Sequence, residues 1–180
     1  MPPRYEKKYD RQIRVFGFTT QEKLQNMRVT LYTSTSNYVS AEIVKNLVLL
    51  GVTDLKINKR AEECVLRMIP GGIKDINEKL RLEVFDDTAG MADRSNASSC
   101  LVNEQEVNVT IQIDNFVVNE FGRSFYVCSK CCMFGDTCDH RCVEIEQRIE
   151  NECLLGAVLV QEMVKMLSGE NYQKEYRLDV

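Results

Sequence analysis

The sequence predicts an α/β fold with a mostly parallel sheet. Short strand-like runs alternate with amphipathic helical runs along most of the chain. Residues 29–58 also hold strand, helix and strand in close succession, which places the second strand parallel to the first through a right-handed crossover. With 180 residues, the chain is read as a single domain over 1–180 with room for a real core.

The elements follow in order. An N-terminal helical arm is placed at about 4–27, with a short helix at 19–26 capped by Thr19 or Thr20. Residues 28–32 alternate as a strand. Residues 40–50 carry Ile43, Val44, Leu47 and Leu50 on one helical face, with Ser40 as a candidate cap and Gly51 just past the end. Residues 52–58 form the second strand. A helix is expected at 74–82, a strand at 83–87, and a loop over the small polar residues 88–103. Residues 107–114 are a clear strand, followed by a helix around 115–121 and another strand at 123–128. A cysteine-rich insert at about 128–142 interrupts the pattern. An apolar helix at 151–169 closes at Gly169, and its hydrophobic circumference calls for a place in the core or at an interface. On it Met163 and Met166 read as core, and Gly156 and Ala157 as permitting close packing.

Composition narrows the function. A net charge of −4 argues against a nucleic-acid partner, and no apolar run reaches the ~20 residues needed to cross a bilayer. The charged N-terminus lacks the apolar stretch of a signal peptide. The eight cysteines are therefore read as reduced thiols of the nucleus and cytoplasm, and the glycosylation-like triplets at Asn96 and Asn108 as chance.

Three blocks in order carry a resemblance: YDRQIRVFGFTTQEKLQNMRV (9–29), SAEIVKNLVLLGVTDLKI (40–57) and GAVLVQEMVKMLSG (156–169). They resemble the ATP-dependent activating enzymes for ubiquitin-like proteins, related to bacterial MoeB and ThiF. The resemblance implies a Rossmann-like three-layer sandwich of the ThiF/MoeB type in shortened form. Within that family the chain is most similar to the smaller, non-catalytic subunits of heterodimeric members, those serving SUMO first and NEDD8 second. The partner so implied is a larger catalytic subunit, which holds ATP and Mg and passes the ubiquitin-like modifier to its own cysteine. This chain would bind no cofactor itself.

Departures from the active pattern support the non-catalytic branch. The turn Thr33-Ser34-Thr35-Ser36-Asn37-Tyr38 has no glycine, where each glycine would let phosphates approach bare backbone. At the end of the second strand, Asn58 stands where the family has an acidic ribose ligand. Asp114 resembles a relic of the family's magnesium-binding aspartate, but an ordinary strand-end or helix-cap residue is the favoured reading. The arginine that should follow is Asn119. The resemblance leaves one contribution in trans: Arg11, reaching the ATP phosphates bound by the partner as a permanently charged fork. Arg14 is a weaker candidate for the same role, with a salt bridge to Asp10 as its plain alternative.

The cysteine insert offers one rival chemistry. Cys128, Cys131, Cys138 and Cys142 have a spacing compatible with tetrahedral zinc, beside His140. Buried thiols, Cys132 among them, are the favoured reading, so no metal site is expected. A catalytic cysteine is not expected either, since the family places it in a separate inserted domain. Two rivals to a regulatory subunit remain: a standalone scaffold of the same fold, and an active enzyme that holds phosphates on hydroxyls.

Overall fold

The computed structural model describes residues 4–86, 107–114, 123–135 and 148–178. Helices α1 (Arg4–Phe16) and α2 (Phe18–Asn26) form the N-terminal arm. Strand β1 (Arg28–Thr33), helix α3 (Tyr38–Leu49) and strand β2 (Asp54–Asn58) follow, then helix α4 (Lys59–Met68) and strand β3 (Arg81–Phe85). Strands β4 (Asn108–Ile113), β5 (Arg123–Cys128) and β6 (Met133–Phe134) precede the long helix α5 (Ile149–Ser168) and strand β7 (Tyr176–Arg177).

These strands form one seven-stranded sheet in the order β3-β2-β1-β4-β5-β6-β7. The pairs from β3 through β5 are parallel, and only β6 and β7 pair antiparallel. The expected fold class is therefore the observed one. Alternate residues Val29, Leu31, Leu55, Ile57, Val109, Ile111, Ile113 and Val127 are buried on one face. Both steps β1–α3–β2 and β2–α4–β3 move in the same direction, so right-handed crossovers put α3 and α4 on the same side. Helix α5 packs on α3, and there Gly156 is required: a Cβ on it would stand 3.0 Å from the Val39 carbonyl oxygen. The other face carries Thr30, Thr110 and Ser124 in one row and Tyr32, Gln112 and Tyr126 in the next.

Several local expectations need correction. No helix forms over 74–82. Buried Asn77 donates from its side chain to the Val52 carbonyl and accepts from the Lys79 amide, which holds a chain of turns until β3 opens at Arg81. Helix α4, not foreseen, spans the preceding stretch and buries Ala61, Cys64 and Val65 at helical spacing. Helix α2 begins after Gly17, so Thr19 and Thr20 lie inside it and cap nothing. Helix α3 is capped by Asn37, not by Ser40. The loop expected at 88–103 and the helix around 115–121 lie outside the described residues. Among the described residues, no helix is long and apolar enough to cross a membrane.

Candidate functional site

In an open α/β sheet, ligands bind beyond the C-terminal ends of the strands where the strand order reverses. Here that place is between β1 and β4, since β2 and β3 extend one way and β5 the other. The turn after β1 and Asp114 after β4 both sit there. They are bonded to each other. Ser34 Oγ donates to the Asp114 carbonyl at 2.8 Å, and Thr35 Oγ1 donates to the Asp114 carboxylate. The same carboxylate accepts the Ser129 amide and the Ser129 hydroxyl, each at 2.7 Å. Asp114 holds this pose with φ of 56°, a left-handed conformation that aspartate tolerates better than most residues.

Asn58, fully buried, closes the neighbouring position. Its Oδ1 accepts the Thr33 amide at 3.1 Å and its Nδ2 donates to the Thr33 carbonyl at 2.9 Å. The amide side chain thus extends the β1–β2 ladder by one rung, which a carboxylate lacks the donor to do. Arg60, in the first turn of α4, donates to the Ser34 carbonyl.

The start of α3 is also occupied. Asn37 Oδ1 accepts the Ser40 amide at 2.9 Å, the usual N-cap bond, and its Nδ2 reaches Thr33 Oγ1 at 2.8 Å. The Tyr38 amide, first in the helix, donates to Glu152 Oε2 at 2.6 Å. Glu152 comes from the first turn of α5 and is buried. Burial pushes its pKa up, the Tyr38 amide draws it down, the Asp114 charge raises it and the Arg67 guanidinium lowers it. Arg67 lies over the Tyr38 ring and donates to Ser36 Oγ and to Cys64 Sγ.

ATP with magnesium does not fit these residues. The helix terminus, the ribose position and the aspartate that a magnesium ion would need are each satisfied by groups of the chain itself. Of the positions singled out in the sequence, the fold brings Asn58, Asp114 and the Ser/Thr turn together. Glu152, Ser129 and Arg67 complete the cluster and were missed. Only the Asn37–Ser40 spacing carried a local signal, that of an N-cap.

The fold keeps Arg11 and Arg14 away from this cluster. Helix α1 docks at the opposite end of α3: Gln12 Nε2 donates to the Leu49 carbonyl at 3.2 Å, and Gln21 Nε2 of α2 to the Leu50 carbonyl at 2.8 Å. The glutamines satisfy carbonyls that a helix end leaves orphaned. A helix of 12 residues is about 18 Å long, so that end is far from Tyr38. Arg11 is exposed there and makes no ion pair among the described residues, whereas Arg14 pairs with Asp10 at 2.9 Å.

Cys128 is buried at the end of β5 and Cys131 and Cys132 are buried in the β5–β6 turn, while Cys138, His140 and Cys142 lie outside the described residues. Burial, with a smaller push from Glu152, raises the Cys132 pKa; burial and then Glu42 raise that of Cys153. Thiols held protonated are poor nucleophiles.

Solved structures with this architecture include PaaA, with a TM-score of 0.64, 13% identity, and coverage of 100% of this chain and 72% of that one. Another is MccB of E. coli, with a TM-score of 0.59, 10% identity and coverage of 93% and 64%. Its ATP complex gives 0.60, 9%, 99% and 73%. The fold is of the MoeB/ThiF type. At these identities the likeness concerns the fold alone. Among curated proteins, the chain is 35% identical over 112 residues to the DNA damage tolerance protein rad31 of Schizosaccharomyces pombe, a match covering 62% of this chain. The matched chain spans 32% of the length of that relative. No family model matches.

Proposed function

We propose that this chain is the regulatory, non-catalytic subunit of a heterodimeric ATP-dependent activating enzyme for a ubiquitin-like modifier, with SUMO the modifier served. The larger subunit would hold ATP and Mg, adenylate the modifier and carry the catalytic cysteine. This chain would supply half of the interface and Arg11, in the nucleus and cytoplasm, without nucleotide or zinc of its own.

The observation that carries this reading is a separation. The crevice where this fold would take a nucleotide is filled by the chain's own side chains, while Arg11 stands exposed about one α3 length away. An arginine so placed is out of reach of an anion at its own switch point, which supports its use by another chain. Likeness to rad31 over 112 residues supports an assignment to eukaryotic relatives of the fold. The acceptor-free guanidinium gives the role chemical sense, since it stays charged and forks onto phosphate oxygens.

ATP–pyrophosphate exchange with the candidate larger subunit tests the reading, with SUMO, NEDD8 and ubiquitin compared. Expected is SUMO-dependent exchange that requires this chain and falls at least tenfold with Arg11→Ala, a loss of about 1.4 kcal/mol or more in transition-state stabilisation. Exchange with NEDD8 or ubiquitin instead would reassign the modifier. A stable chain that forms no complex and supports no exchange would leave a standalone scaffold.

A further inference from the structure

The first backbone N–H of α3 is the natural seat for an anion in this fold, since the helix terminus is positive and follows β1 at the switch point. The turn before it keeps the strand–turn–helix shape without glycine. The seat is nevertheless filled. Glu152 arrives from α5, a separation of 114 residues, buried and within 2.6 Å of the Tyr38 amide. Such a bond is at the short, charge-assisted end of the range.

We infer that Glu152 is a resident anion, a carboxylate built into the chain that takes the place of a phosphate at the start of α3 and closes that terminus to external phosphates. Its surroundings fit the role. The Arg67 guanidinium, stacked over the Tyr38 ring, acts on the carboxylate as a counter-charge, and the nearby acid Asp114 is itself held by Thr35 and Ser129. Cys132 lies near enough to feel the Glu152 charge. Helix α5 packs against α3 at Gly156, one helical turn further along, which holds the carboxylate in register with the Tyr38 amide. The sequence kept the cradle's shape because the cradle still binds an anion, its own. This inference concerns the chain alone and stands whatever larger subunit it joins.

Glu152→Ala in the full chain tests it, with sodium phosphate and sodium formate as probes against sodium chloride of equal ionic strength. The variant should melt at least about 5 °C below wild type, because the part-buried Tyr38 N–H loses its charged acceptor. Either probe at roughly 100 mM should restore half of that loss or more, a level at which a site of millimolar affinity is saturated. Wild type should respond to neither beyond chloride. An undiminished melting temperature, rescue no better than chloride, or equal stabilisation of wild type would overturn the inference. Should Glu152→Ala yield no folded protein, wild type itself decides. In amide spectra the Tyr38 N–H should shift with pH along the same titration as the Glu152 carboxyl carbon. A Tyr38 resonance indifferent to that titration would overturn it equally.

Discussion

The Tyr9 ring lies where a side chain on Gly51 would have to go. A Cβ on Gly51 would stand 2.9 Å from Tyr9 Cζ and 3.1 Å from Gln21 Nε2, and the residue has φ of 97°. Gly51 follows α3, Tyr9 belongs to α1, and Tyr9 is only 6% exposed. The glycine both ends the helix and receives the arm. Gly51→Ala should therefore cost about 2 kcal/mol, from the left-handed backbone and the displaced ring together. For a chain of this size that lowers Tm by about 6 °C. Adding Tyr9→Ala should remove the steric part only, so the two substitutions will not sum. Thermal melts of the double-mutant cycle check this, and additive effects would mean the ring and the glycine are not in contact.

The buried Asn58 sets a second expectation. Asn58→Asp puts in the acidic residue that the sequence resemblance sets at this position in active members, and tests whether it creates an ATP site. Here it would remove the donor to the Thr33 carbonyl and put a charge at a fully buried position. The loss should be about 2–4 kcal/mol in urea unfolding, with no gain of ATP binding. A variant as stable as wild type that binds ATP would show that the β1–β2 lock is dispensable.

Glu152 makes stability depend on pH in a defined sense. Its folded-state pKa is raised above the ordinary value of 4.5, chiefly by burial. Between those two values the folded state binds more protons than the unfolded state, so stability falls as pH rises. The contribution is fully present below 4.5 and lost above the raised value. Glu152→Gln, neutral throughout, should lack this decline. The stability difference between wild type and Glu152→Gln, followed by urea unfolding from acid to neutral pH, should move steadily in favour of the variant. A difference independent of pH would mean that the carboxyl is not perturbed.

The β1–α3–β2 unit was legible because apolar periodicity and a terminal glycine are local signals. Residues 74–82 misled because Ile73, Ile76 and Leu80 repeat at helical spacing, while buried Asn77 spends its side chain on holding turns. Helix α4 escaped notice because Lys59, Arg60, Glu62 and Glu63 crowd its first turns and hide the buried stripe of Ala61, Cys64 and Val65. At the switch point, the missing glycines and Asn58 were legible as departures from a nucleotide-binding pattern. What replaced it was illegible: Ser129 and Glu152 reach the site from 15 and 114 residues away, and nothing local in either segment marks them.

Arg11 and Arg14 lie on one short helix and should separate cleanly by experiment. Arg14 pairs with Asp10 across one turn, both exposed, and such pairs contribute well under ~1 kcal/mol. Arg11 is exposed and makes no ion pair among the described residues, so its removal costs the chain nothing comparable. The inward residues of the same helix, Tyr9 and Gln12, hold the arm on α3. Neither Arg11→Ala nor Arg14→Ala should move Tm by more than about 2 °C. In exchange with the proposed larger subunit they should differ: Arg11→Ala loses tenfold or more and Arg14→Ala less than about threefold, each read at saturating modifier. Arg11→Lys should recover only part of the loss, since an ammonium keeps the charge but not the planar fork. Equal effects of the two alanine variants would mean that the arm contributes general positive charge and not one positioned guanidinium.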